Sequence, residues 1–178
     1  TGQQGKICAR DLLESGYSVM LAGRNKNAVK YLLRNKNAGF ITVDLNNMDE
    51  IIHAIKKSAA DVVVNCAELT FNVLVMKACL KTKKSLTDLG GLQYITQKQF
   101  KLDKSFRELG STCITGCGST PGLLNIVVKH AIENFDSIET IELGFAWNSN
   151  IKKFVIPYSM NSIFYEFTEL PVTFHNGK

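Results

Sequence analysis

Short apolar runs alternate with helical patterns along most of this chain, and that rhythm restricts it to few folds. Residues 17–23 (YSVMLAG), 39–43 (GFITV), 61–65 (DVVVN) and 85–88 (SLTD) read as strands. Between and after them, residues 27–33, 48–57, 71–80 and 100–109 read as helices, with Ile51, Ile52 and Ile55 on one side of the second. The nearly unbroken apolar run at Val62, Val63 and Val64 is expected to be buried on both faces of a parallel sheet. Units of this size wind right-handedly and place helices on both faces. The expected fold is therefore α/β, a Rossmann-type doubly wound parallel sheet.

The stretch ahead of the first strand carries the first chemical signal. Gly2, Gln3, Gln4 and Gly5 run straight into a pattern in which Ile7, Cys8, Leu12 and Leu13 recur at helical spacing, and Gly16 follows as a stop. A dinucleotide fold needs G-x-G-x-x-G between strand and helix. One glycine makes the turn, one admits the pyrophosphate close to the backbone, and one lets helix and strand pack. Gly2 and Gly5 have the spacing of the second and third, so the first glycine and its strand are expected to lie before Thr1. The amides of Gln3, Gln4 and Gly5 would then meet a diphosphate at a helix N-terminus. A loose turn before a helix would show the same two glycines, but the helix, Gly16, strand and polar strand end that follow favour the nucleotide reading.

That polar strand end separates the cofactors. A carboxylate there would accept from the ribose 2′-hydroxyl of NAD, whereas this chain has Arg24 and Asn25. Arg24 can pair with a 2′-phosphate and Asn25 can donate to it, so NADP is favoured over NAD. Asp44 closes the next strand and can either accept from an adenine amino group or cap the helix that follows. Asn65, Cys66 and Ala67 end the 61–65 strand, where Asn65 can meet a ribose or serve as a turn residue. His53, His130 and His175 stand in no Ser/His/Asp or metal-ligand pattern, and the first two are expected on helix surfaces. No catalytic acid or base and no metal site is named from spacing.

Composition narrows the partners. The net charge of +5 comes from 21 basic and 16 acidic residues, and the lysines are scattered over 26–36, 56–57 and 81–84. No basic track for nucleic acid is expected. Five cysteines, mostly within apolar runs, fit buried free thiols in a reducing compartment, and Cys113 and Cys117 lack the second pair that zinc needs. No apolar run reaches the roughly 18 to 20 residues that span a bilayer, so no membrane partner is expected. With no signal peptide visible, the expected setting is cytoplasmic.

The rhythm changes at residues 112–122 (TCITGCGSTPG), where a strand-like run enters a Gly-rich turn. Ser119 or Thr120 is expected to cap a helix starting at Pro121. Beyond it, residues 138–147 and 154–158 alternate with β-branched and aromatic residues, as antiparallel strands do. The expected division is a dinucleotide domain over 1–117 and an unfinished α+β substrate domain over 118–178.

Together, GQQG at 2–5, Gly16, AGRN at 22–25, VDL at 43–45, DVVVN at 61–65, VMKACL at 75–80, TDLGG at 87–91 and GCGSTPGLLN at 116–125 resemble the saccharopine dehydrogenase family. The most specific piece is G-x-x-P-G-L-x-N from Gly118 to Asn125. The tail SMNSIFYEFT at 159–168 is also similar to that family's substrate domain. The resemblance implies an NAD(P)-dependent dehydrogenase moving hydride between nicotinamide and the C–N carbon of an amino-acid or polyamine-type substrate. It implies pyrophosphate at Gly2 to Gly5, adenosine phosphate at Arg24 and Asn25, adenine at Asp44 and Leu45, and nicotinamide ribose at Asn65, Cys66 and Ala67. Asp88, Gly118, Ser119, Pro121, Gly122 and Asn125 would line the substrate side, with the helix start at Pro121 suited to a carboxylate. A homodimer is expected. The alternative is a non-catalytic nucleotide-sensing or assembly protein that keeps the scaffold. A short-chain dehydrogenase reading rests on Tyr94 and Lys98 alone and lacks an upstream serine at a strand end.

Overall fold

The computed structural model describes residues 1–144, 150, 152–153 and 160–169. Helix α1 (Gln3–Glu14) leads into β1 (Val19–Gly23), which pairs in parallel with β2 (Ala38–Thr42), Val19 opposite Ala38. A second parallel sheet has the order β3 (Val62–Asn65), β4 (Ser85–Asp88), β5 (Cys113–Ile114). Helix α2 (Met48–Ser58) connects β2 to β3, α3 (Asn72–Thr82) connects β3 to β4, and α4 (Gln93–Phe100) with α5 (Asp103–Glu108) connects β4 to β5. Helices α6 (Leu123–Ile132) and α7 (Met160–Thr168) follow.

Strand β2 shows why both faces carry helices. Successive side chains point to opposite faces. Ala38 and Phe40 pack on one cluster with Ala9 and Leu13 of α1, Leu21 of β1, Val29 and Leu32. Ile41, and Val43 just past the strand, belong to a larger core with Ile51, Ala54 and Ile55 of α2, Val75, Met76, Ala78 and Cys79 of α3, Leu86 and Phe106. This is the Rossmann-like, doubly wound arrangement.

Several local expectations are corrected. Among the described residues the strands form two parallel sheets, and the start of α1 lies between their ends. The Thr1 nitrogen is 3.3 Å from Ala22 O, and a Cβ on Gly5 would lie 3.6 Å from Cys66 Cβ. Among the described strands β3 pairs only with β4. Val62 and Val64 are 51% and 39% exposed, not buried on both faces. Residues 27–33 form no α-helix but overlap two 3-10 turns, Lys26–Val29 and Leu32–Arg34, joined through Lys30 and Tyr31. Asn25 Oδ1 accepts from the amides of Asn27 and Ala28, which tightens the first turn, and so short a segment cannot nucleate a helix alone.

The 100–109 pattern is likewise the junction of α4 and α5, and α4 was not legible because few apolar residues mark it. Helix α6 starts at Leu123 rather than Pro121. Gly122 is its N-cap at φ 132°, and Asn125 Oδ1 accepts from the Gly122 amide at 2.9 Å, so neither Ser119 nor Thr120 caps it. Residues 138–144 form no strand, and 145–147 and 154–158 lie outside the described residues. All five cysteines are free, but only Cys79 is fully buried and Cys117 is exposed. Among the described residues, no helix is long and apolar enough to cross a membrane.

Candidate functional site

The residues named from the sequence gather at the C-terminal ends of the strands, in two neighbouring groups. The first is centred on the start of α1. Gly2 is the N-cap in an extended conformation, no side chain caps the helix, and its first turn carries no acid. The amides of Gln3, Gln4 and Gly5 therefore stand unneutralised at the positive end of a helix dipole, as an anion site requires. A Cβ on Gly2 would meet nothing within 4 Å, so open space lies over that backbone.

Arg24 and Asp44 flank this turn from the ends of β1 and β2. Arg24 is exposed. Asn25 is partly committed, since its Oδ1 caps the following 3-10 turn, which leaves its amide nitrogen to donate. Asp44 is not the cap of α2; Asn47 is, accepting from the amides of Asp49 and Glu50. Asp44 Oδ1 accepts from the Asn46 amide and from Asn46 Nδ2. Those two bonds, led by the backbone amide, hold its carboxyl below the usual carboxylate range, and the Arg24 charge adds to the effect. Leu45 packs half-buried against the core.

At the end of β3, Asn65 is buried and both ends of its side-chain amide are engaged. Its Oδ1 accepts from the Ala67 amide and its Nδ2 donates to Asn72 Oδ1 at 2.9 Å. The turn role is thus one its side chain fills. Burial pushes the Cys66 thiol up to about 12, with neighbouring Cys8 adding to the shift, so this thiol is neutral and not a nucleophile.

The second group is a knot of three loops after β4 and β5. Asp88, 1% exposed, accepts at Oδ1 from the amides of Gly90 and Gly116, while its backbone carbonyl accepts from the Cys117 amide at 2.7 Å. The carboxylate is turned inward and holds loops together. Gly118 and Gly122 form a bridge, and a Cβ on Gly122 would collide with the Gly118 carbonyl. A Cβ on Gly118 would collide with the Leu89 carbonyl. Backbones approach so closely here that only glycine fits. Amides that a substrate carboxylate would use at the α6 start are taken: Leu123 donates to Gly118 O, Leu124 to Ser119 O and Ile126 to Gly122 O. Ser119 and the side chain of Asn125 stay on the surface of the knot.

Two residues of this region went unread in the sequence, Asn72 and Gln99, and Gly90 and Gly116 entered only within the motifs TDLGG and GCGSTPGLLN. A lone Asn within the apolar run 71–76 (FNVLVM) was the available signal for Asn72. His53 and His130 are exposed on α2 and α6. Lys98 Nζ lies 5.2 Å from the centre of the Tyr94 ring, over its face, which is a cation–π contact and not the pairing a short-chain dehydrogenase needs.

Residues 1–114 match the family described as saccharopine dehydrogenase NADP binding domain. The carboxynorspermidine synthase of Vibrio alginolyticus is 28% identical over 131 residues, 67% of this chain and 31% of that protein. The saccharopine dehydrogenase [NADP(+), L-glutamate-forming] of Pyricularia oryzae is 26% identical over 145 residues, 81% of this chain and 29% of that protein. Among solved structures, apo saccharopine dehydrogenase (L-Glu forming) from Saccharomyces cerevisiae superposes with a TM-score of 0.63 at 18% identity, over 75% of this chain and 29% of that one. The chain thus spans about 30% of the length of the relatives it matches. On the match over residues 1–114, the chain belongs to the saccharopine dehydrogenase family, through that family's NADP-binding domain.

Proposed function

We propose that the protein is an NADP-dependent oxidoreductase acting on the C–N bond of an amino-acid or polyamine-type substrate. The observation that carries the cofactor half is the uncapped α1 terminus with Arg24 and Asp44 beside it. The substrate half is supported by relatives whose names are carboxynorspermidine synthase and saccharopine dehydrogenase. Bound NADP supplies the hydride chemistry at the nicotinamide ring.

The chain's own residues bind and orient. The amides of Gln3, Gln4 and Gly5 would hold the pyrophosphate, and the guanidinium of Arg24 would pair with the 2′-phosphate. Asp44 Oδ2, which has no partner among the described hydrogen bonds, is left for the adenine amino group. The Asn65 backbone faces the ribose on the side of the Gly116 to Gly122 knot, which borders the substrate. A small-molecule substrate, a cytoplasmic setting and a homodimer belong to the same proposal.

Titrating the full-length protein with NADPH and with NADH while following cofactor fluorescence tests the reading. NADPH is expected to bind more tightly and to be oxidised in the presence of an imine formed from an amino acid or diamine. Binding of neither cofactor would overturn it, and binding without turnover would favour a nucleotide-sensing protein instead.

A further inference from the structure

A chain of buried and part-buried hydrogen bonds joins the cofactor end of the fold to the glycine knot. Asn65 Nδ2 donates to Asn72 Oδ1 at 2.9 Å, and Asn72 Nδ2 donates to Gly90 O at 3.0 Å. The Gly90 amide donates to Asp88 Oδ1 at 2.8 Å, and the same oxygen accepts from the Gly116 amide at 3.0 Å. Asn72 and Asp88 are each 1% exposed. A Cβ on Gly91 would crowd Leu69 Cβ at 3.1 Å and make ordinary contact with Asn72 Nδ2 at 3.6 Å, so the path is packed from this side.

We infer that Asn72, the first residue of α3, is a positioning residue that sets the distance between the nicotinamide side at Asn65 and the substrate side at Gly116 to Gly122. The inference rests on the oxidoreductase reading above. Three facts converge on it. The Asn65 to Asn72 bond ties the end of β3 to the start of α3. Asn72 uses both ends of its amide, one toward each side of the site, and no other residue type of that length offers an acceptor and a donor together. The path is short and its Asn72 and Asp88 side chains are buried, so removing its middle leaves partners unmatched. Asn72 touches no cofactor atom in this assignment; it acts through Asn65 and Gly90.

Two variants of the full-length protein test this. Asn72→Ser loses both bonds without introducing a charge, and Asn72→Asp keeps an acceptor for Asn65 while losing the donor to Gly90. NADPH affinity is expected to stay within about threefold, because phosphate and adenine are held elsewhere. The turnover number is expected to fall roughly 10- to 100-fold, as misplaced reactants do, and the isotope effect with NADPH deuterated at C4 is expected to rise. A merely structural role would lower the melting temperature and the bound fraction but leave turnover per NADPH-binding site and the isotope effect unchanged; that outcome overturns the inference.

Amide hydrogen exchange gives a second readout that needs no turnover. NADPH is expected to slow exchange at residues 116–123 in the wild type and to lose that effect in both variants while still protecting α1. Equal protection in wild type and variants overturns the inference. Absence of turnover in the wild type overturns the oxidoreductase reading and leaves this exchange test in force.

Discussion

Gln99 Nε2 donates to Asp88 Oδ2 at 2.6 Å, with both side chains 1% exposed. Together with the amides of Gly90 and Gly116, this gives a buried carboxylate three neutral donors and, among the described ion pairs, no cation. A buried charge with that many N–H groups is held by hydrogen bonding alone. Gln99 Oε1, by contrast, is buried with no partner.

Two substitutions at this position are expected to behave differently. Asp88→Ala strands three buried donors and should lower unfolding free energy by about 3 to 5 kcal/mol. Asp88→Asn keeps an oxygen for the two glycine amides, and Gln99 can turn over so that its unpartnered Oε1 accepts from the new amide; the loss should be about 1 kcal/mol. Urea denaturation measures both, and equal losses would contradict the assignment of this carboxylate as a hub of neutral donors.

Gly2→Ala separates stability from binding. Gly2 has φ −72° and nothing within 4 Å of where a Cβ would stand, so the melting temperature should hardly move. The methyl group would nevertheless occupy the space where a diphosphate meets the Gln3 to Gly5 amides. NADPH affinity should fall about tenfold or more, near 1.4 kcal/mol. An unchanged dissociation constant in a fluorescence titration would show that the phosphate lies elsewhere.

The sequence carried what depends on local period and on residue type at strand ends. Strand β4 at 85–88 was legible to the residue, because an isolated four-residue run between a helix and Gly90-Gly91 has only one place to go. Helix α2 was legible from Ile51, Ile52 and Ile55. What stayed hidden depends on partners distant in sequence. The valines of β3 could not report that Val62 and Val64 would stay exposed among the described residues. Asn65 looked like a ligand-facing strand end, yet its side chain is spent on Ala67 and on Asn72. Asp88 was reached only through family resemblance, because its donors come from Gln99, 11 positions away, and Gly116, 28 positions away. The helix start at Pro121 failed for a conformational reason: Gly122 at φ 132° interrupts the backbone before α6 can begin.

Arg24→Ala should change which cofactor is preferred. Arg24 is exposed and forms no ion pair among those described, so its removal should cost little stability. A guanidinium on a phosphate contributes about 1.5 to 3 kcal/mol, so NADPH affinity should drop roughly 10- to 100-fold. NADH, which lacks the 2′-phosphate, should bind the variant about as well as the wild type. A parallel loss for both cofactors would mean that Arg24 contacts the shared part of the nucleotide.

Alkaline solution should destabilise the fold through its thiols. Burial pushes Cys66 and Cys79 up to about 12 and Cys113 up to about 11, against about 8.5 for a solvated thiol. Their folded values are raised, so the stabilisation is fully present below the unfolded pKa and is lost as pH rises through the folded values. Above about pH 8.5 the unfolded chain releases protons that the folded protein keeps, and the unfolding free energy must fall. Urea midpoints at pH 7.5, 9 and 10.5 should therefore decline in the wild type. Cys79→Ala should start lower, because it leaves a cavity in the larger core, but decline less steeply. Parallel curves for the two proteins would rule out the Cys79 thiol as a source of the slope. In the same pH range a thiol-specific reagent should modify exposed Cys117 well before Cys79.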